Sequence, residues 1–173
     1  MERDRLQGLH WECFVCGPEN PRGLRLNIRL VGDQVVTEFI PTADLQGPPG
    51  VVHSGIVAGV LDEVMSQLIY ARLVPAVTRK IEVTYRRPMR VGVPYRITAT
   101  IAGENSRIVA ARAEARDPAG VQVARARGIF APLDEERAAR FLGQEEGISA
   151  GAGGASRTGE TAAGAEEPGA VQD

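Results

Sequence analysis

The sequence predicts an α+β domain in which an antiparallel sheet of about six strands wraps around one long helix. One segment, from about residue 54 to residue 73, repeats its apolar residues at helical spacing. Several shorter segments instead alternate apolar and polar residues, which is typical of half-buried strands. Short turns join these strands, so neighbours run antiparallel, and the sheet has to cover the apolar stripe of the helix.

Two strands are expected before the helix. Leu24 to Val31 alternates leucine or isoleucine with arginine or asparagine, and Gln34 to Ile40 follows as its partner. The pair Gly32-Asp33 between them suits a two-residue hairpin turn. A loop with the run Gly47 to Gly50, which contains two prolines, then leads into the helix.

Four strands are expected after the helix, over residues 77–87, 95–102, 107–116 and 121–130. In the first of them, Thr78 belongs to one alternating set of residues and Tyr85 to the other. Asp134 is placed to cap a short terminal helix from Glu135 to Leu142.

The chain of 173 residues is expected to form one domain over residues 24–142. Residues 1–23 form a turn-rich leader that packs on this domain, and the Gly/Ala/Glu-rich segment 143–173 is expected to be disordered. That segment carries six acidic residues and one arginine, so the rest of the chain has a formal charge of +3. This mild excess suits an anionic small molecule and is too small to indicate nucleic acid.

The sequence predicts a cytoplasmic protein with no membrane contact. No apolar run approaches the roughly 18–20 residues of a membrane span, and the charged start of the chain is unlike a signal peptide. Two cysteines do not make the disulfide framework of a secreted protein.

The segment from Val52 to Met65 carries the candidate chemistry. A helix that opens near Ser54 presents unpaired amide donors and partial positive charge at its start. Asp62 lies off the apolar stripe of the same helix, nine positions after His53. The segment thus offers a site for an oxyanion and an acid/base group, which is the pairing that acyl transfer needs.

This element order, together with His53-Ser54-Gly55 and Asp62, resembles the hotdog-fold acyl-CoA thioesterases of the phenylacetate-pathway (PaaI-like) type. The resemblance covers about residues 10–132. In that family the helix opens with His-Gly-Gly and bears an acidic residue nine positions after the histidine. Family members also carry a Ser or Thr six residues before a Thr-Tyr pair, which is Thr78 here.

The resemblance implies a role for each of these positions. The amide of Ser54, with that of Gly55, would bind the developing oxyanion, and Asp62 would act as general base or nucleophile. Thr78 would hold the water or the carboxylate. His53 is a further candidate, although a histidine before a helix more often fixes a loop. Gly47 is a departure, because some members carry an asparagine there.

The distance between Ser54 and Asp62 is too large for one chain to form the whole site. Ser54 and Asp62 are roughly 12–14 Å apart along a helix, so they cannot both reach one carbonyl carbon. We therefore expect a homodimer or homotetramer in which each site is shared between two subunits, as the hotdog resemblance implies.

No cofactor is expected beyond coenzyme A as part of an acyl-CoA substrate. Five arginines could bind its phosphates, although a solvated sheet face explains them equally well: Arg86, Arg87, Arg90, Arg107 and Arg112. Cys13 and Cys16, with His10 upstream, form a metal half-site that lacks a clear fourth ligand, so no metal is predicted.

Two other functions stay open. A non-catalytic acyl-CoA or lipid-binding protein of the same fold is the main alternative, because fold alone does not establish function. A dehydratase is the weaker one, since those enzymes pair a helix carboxylate with a histidine in a different arrangement.

Overall fold

The computed structural model describes residues 12–72 and 75–141, so His10 and the predicted disordered segment 143–173 lie outside the described residues. Its elements follow one another in this order: β1 Arg29–Val31, β2 Gln34–Phe39, a 3-10 turn Ala43–Leu45, α1 Ser54–Arg72, β3 Ala76–Tyr85, β4 Tyr95–Glu104, β5 Val109–Arg116, β6 Gln122–Pro132 and α2 Glu135–Phe141.

The six strands form one sheet in the order β1-β2-β4-β5-β6-β3, and every neighbouring pair is antiparallel. The helix α1 packs across the face of β2 to β6. The predicted α+β architecture, a six-stranded antiparallel sheet against one long helix, is confirmed. This order leaves β3 at one edge of the sheet, beside the helix.

The first strand is shorter than the alternation of residues 24–31 predicts. Arg25 has a φ of 52°, a left-handed conformation that a strand cannot contain. The amides of Leu24 and Leu26 donate instead to the carbonyls of Phe14 and Val15 in the leader. The apolar alternation therefore predicts burial correctly, because Leu26 is buried. It does not predict strand pairing at this position.

The sheet face under α1 is built from small side chains, which lets the helix lie close to the strands. The alanines on this face are Ala99, Ala111, Ala113, Ala115, Ala124 and Ala126, all of them buried. Gly128 continues the row, and a Cβ there would lie 3.1 Å from Met65 Cε and 2.8 Å from Phe130 Cζ. Met65 and Phe130 are fully buried, so they fill the volume that a larger residue at 128 would take.

A register shift in β3 changes which side chains face the helix. Thr78 pairs with Phe130 and Lys80 pairs with Ile129, so one extra residue lies between them. Strict alternation would place Thr78 and Tyr85 on opposite faces. Both side chains nevertheless reach α1, because the extra residue reverses the alternation between them.

Within residues 12–72 and 75–141, no helix has the length and apolar character needed to cross a bilayer.

Candidate active site

The start of α1 is capped by the histidine that precedes it. His53 Nδ1 accepts the amide N–H of Gly55 at 3.0 Å, and the His53 carbonyl accepts those of Ile56 and Val57 at 3.0 and 3.3 Å. The His53 amide itself donates to the Leu45 carbonyl at 2.8 Å. His53 therefore fixes both the loop and the first turn of the helix.

The glycine at position 55 leaves room for this cap. A Cβ there would lie 3.0 Å from His53 Nδ1 and 3.2 Å from Cε1, so a side chain would push against the ring. Because the Gly55 amide is bonded to His53, it is not available to a ligand. The Ser54 amide, in contrast, has no acceptor within the described chain, so of the two predicted oxyanion donors it is the free one.

The loop before the helix is closed by its own hydrogen bonds. Gln46 Oε1 accepts the amide of Gly50 at 3.0 Å, and the Gly47 amide donates to the Val51 carbonyl at 2.9 Å. Gly50 has a φ of 72°, which the turn requires and which glycine adopts without strain. The Gln46 side chain thus holds the loop through its amide oxygen.

Asp62 and Thr78 are brought together by α1 and β3. The Thr78 hydroxyl donates to Asp62 Oδ1 at 3.1 Å and lies 3.4 Å from Oδ2. Of the two functions that the resemblance implied for Thr78, the structure shows the contact with the carboxylate. The register shift in β3 is what turns the hydroxyl toward the helix.

Three physical effects act on the Asp62 carboxyl. Burial raises its pKa, the hydrogen bond from Thr78 lowers it, and the negative charge of Glu63 raises it again. The net result is a pKa above the usual value for aspartate. A carboxylate of raised pKa takes up a proton more readily, which is the property of a general base.

Tyr85 was not predicted from the sequence as a site residue. Its hydroxyl, at the end of β3, donates to the carbonyl of Ser54 at 2.9 Å. Burial raises the pKa of this phenol, so it keeps the proton that it donates. The bond orients the peptide unit next to the free amide, and no local sequence pattern signals it.

A cleft of about 330 Å³ lies beside the start of α1. Its walls include Ser54, Val57, Tyr85, Arg86, Arg87 and Met89. The amides of Arg86 and Arg87 both donate to the Val123 carbonyl, which fixes their backbone against β6. Arg112 lies elsewhere, on β5, where its Nε donates to Thr100 on the neighbouring strand. Of the arginines considered above, Arg86 and Arg87 line the cleft beside the start of α1.

The middle of the chain matches a known protein family. Residues 49–124 match the family model of the thioesterase superfamily, and this range contains the cap, α1 and β3 to β5. The predicted resemblance to hotdog-fold thioesterases is confirmed by this match and, for the PaaI-like type, by the fold of solved structures. No curated protein matches the chain in sequence.

Solved structures share the fold. A thioesterase superfamily protein is 26% identical with a TM-score of 0.64; the alignment covers 67% of this chain and 61% of that protein. A phenylacetic acid degradation-related protein of Ralstonia eutropha JMP134 is 23% identical with a TM-score of 0.58, covering 62% and 85%. A Streptococcus mutans UA159 protein bound to acetyl-CoA is 13% identical with a TM-score of 0.59, covering 62% and 88%.

Proposed function

We propose that the protein is a thioesterase that hydrolyses an acyl-CoA, with Asp62 as the reacting carboxylate. The observation that carries this proposal is the half-buried Asp62, held by Thr78 on the helix whose start presents the free Ser54 amide. The match to the thioesterase superfamily and the acetyl-CoA bound to the S. mutans structure support the substrate class.

The site is shared between two subunits in this proposal. Ser54 and Asp62 are eight residues apart on one helix, so their backbones lie about 12 Å apart. A thioester carbon must contact both groups at once, which requires Ser54 of one protomer and Asp62 of its partner. The strand β3 is an edge strand with no neighbour on its outer side in the described chain, so a second copy has room to approach there.

The groups divide the reaction between them. The Ser54 amide donates to the thioester oxygen, where negative charge develops in the tetrahedral intermediate. Asp62 removes a proton from the attacking water, and that proton reaches the sulfur as the C–S bond breaks, so a carboxylic acid and the CoA thiol are released. If Asp62 instead attacks the carbon directly, the C–S bond breaks, the CoA thiolate leaves and takes up a proton, and an anhydride forms; water then hydrolyses the anhydride to release the carboxylic acid and restore Asp62.

Substrate recognition is assigned to the cleft beside the helix. We propose that Arg86 and Arg87, which line this cleft, bind the phosphates of coenzyme A, for which the planar guanidinium is well suited. No cofactor takes part in the hydrolysis beyond the coenzyme A of the substrate. We propose the cytoplasm, where acyl-CoA is made and used, as the compartment.

Release of thiol from a panel of acyl-CoA thioesters tests this function. Asp62→Asn keeps the shape of the side chain and removes its basicity, so we expect kcat/KM to fall by about 10²–10⁴-fold. Asp44→Asn, in the exposed 3-10 turn, is the matched control and should match wild type. Equal turnover by wild type and Asp62→Asn would remove Asp62 from the mechanism.

The non-catalytic alternative has one observation in its favour. Gly47 has no side chain, and the Gln46 amide oxygen is bonded to Gly50, so neither position offers a free side-chain oxygen to orient water. A protein of this kind would bind acyl-CoA, as measured by calorimetry, and release no thiol from any member of the panel.

A further inference from the structure

The leader contacts α1 through a compact group of sulfur and oxygen atoms. Cys13 and Cys16 come from the turn-rich leader, and Glu63 comes from the helix, fifty residues away from Cys13. One ligand atom from each of the three lies within 4.8 Å of the other two, and all three residues are half-buried. Glu63 is thus a candidate ligand that the sequence analysis did not find when it predicted no metal.

We propose that Cys13, Cys16 and Glu63 bind one zinc ion that joins the leader to α1. Two thiolates and a carboxylate form a donor set that suits zinc better than magnesium or calcium. The fourth position of the tetrahedron is taken by a solvent molecule.

The spacing of the atoms fits this coordination. A tetrahedral zinc ion has bonds of about 2.3 Å to sulfur and about 2.1 Å to oxygen, so a sulfur ligand and an oxygen ligand lie about 3.6 Å from each other. Cys13 Sγ lies 3.6 Å from Glu63 Oε2. These two atoms already have the separation that a shared zinc ion requires, and Cys16 Sγ lies within 4.8 Å of both.

A buried amide orients the ligands. Gln67 is only 2% exposed, and its Nε2 donates to Glu63 Oε1 at 2.8 Å and to Cys16 Sγ at 3.4 Å. The second sulfur, that of Cys13, accepts the amide N–H of Val15 at 3.4 Å. Donors directed at ligand atoms in this way stabilise the ionised ligands and fix their orientation, as outer contacts do in known metal sites.

Charge and protons balance on binding. Zn²⁺ displaces the thiol protons of Cys13 and Cys16 to solvent, so the ion with two thiolates and one carboxylate carries one net negative charge. The leader is otherwise attached by the buried Val15 and by hydrogen bonds to Leu24 and Leu26. Zinc adds a direct link from the leader to the helix one residue after Asp62.

Metal analysis of the full chain tests the site with a readout independent of catalysis. Protein purified under reducing conditions should retain one zinc per chain through dialysis, with both thiols protected from a thiol reagent until a chelator is added. Apoprotein titrated with Co²⁺ should develop a thiolate charge-transfer band and the visible bands of a tetrahedral ion. Glu63→Gln and Gln67→Leu should weaken Zn²⁺ binding, the latter by about 10–100-fold.

Glu82→Gln is the control, because this glutamate is exposed on β3, and it should bind Zn²⁺ like wild type. The site would be overturned if the protein contained no zinc and showed no charge-transfer band with Co²⁺. It would also be overturned if the thiols reacted at the same rate with and without Zn²⁺. Equal Zn²⁺ affinity in wild type and Glu63→Gln would likewise overturn it, because that result would mean an adventitious ion on two cysteines only.

Discussion

The Thr78 hydroxyl donates to Asp62 Oδ1 across the space between the edge strand and the helix, at 3.1 Å. Only the ionised carboxylate accepts this bond with full strength, so the contact favours the charged form of an aspartate that burial pushes toward the neutral form. Thr78 is thus a positioning residue that also sets the protonation of Asp62.

Removal of this hydroxyl should change the pH profile. In Thr78→Val the effect that lowers the pKa of Asp62 is lost, so its pKa rises further above the usual value. A base of higher pKa is deprotonated only at higher pH, so the acidic limb of kcat should move to higher pH. We also expect about a tenfold loss of kcat, as for a hydrogen bond to a charged group worth about 1.5 kcal/mol.

Thr84→Val is the control for that experiment, because Thr84 alternates with Tyr85 and lies on the other face of β3. Thr84→Val should leave the acidic limb of kcat at the same pH as in wild type. A Thr78→Val profile that coincides with wild type would show that the bond has no influence on the reacting group.

Two glycines of α1 should respond to alanine in opposite ways. Gly55→Ala displaces His53 from the first turn, so the free energy of unfolding should fall by about 1 kcal/mol, as for a lost cap. At Gly59 a Cβ meets nothing within 4 Å in the described chain, so Gly59→Ala should stabilise by about 0.5–1 kcal/mol through helix propensity. Denaturant unfolding measures both; a change of the same sign in the two variants would contradict the capping function of His53.

Tyr85→Phe tests the orientation of the Ser54 peptide unit. Loss of the phenol should cost about 0.5–1.5 kcal/mol of stability and should also lower kcat several-fold, because the Ser54 carbonyl is released. Tyr70→Phe is the matched control, since Tyr70 on α1 donates to the Ala76 carbonyl on β3 at 3.1 Å. The control should show a similar stability cost with unchanged kcat, and equal kcat losses in both variants would indicate a structural effect alone.

Gly128→Ala should destabilise the core. The new methyl group would overlap the ring of Phe130 and approach Met65, both fully buried and unable to move toward solvent. Overpacking of this kind costs typically about 1–3 kcal/mol. Gly103→Ala, where a Cβ meets nothing within 4 Å in the described chain, is the control in a thermal unfolding experiment. Equal melting temperatures for the two variants would contradict the close packing.

Periodicity alone predicted the helix from Ser54 and most of the strands, because burial on one side produces a repeat that a sequence shows directly. It failed where a single backbone angle or one extra residue decides the outcome. The left-handed Arg25 interrupts the predicted first strand, which begins only at Arg29, and the register shift after Thr78 changed the face of a site residue. Contacts such as Tyr85 with Ser54 join residues far apart in the chain, so no local pattern predicts them.

Mixed dimers test most directly whether one site needs two chains. Asp62→Asn chains lack the carboxylate, and Ser54→Pro chains lack the amide while proline is tolerated at the first helical position. Each variant alone should be inactive. Random mixing in equal amounts should recover about a quarter of wild-type thiol release, because half the dimers are mixed and each has one intact site. No recovery, with mixed dimers shown to form, would contradict a shared site.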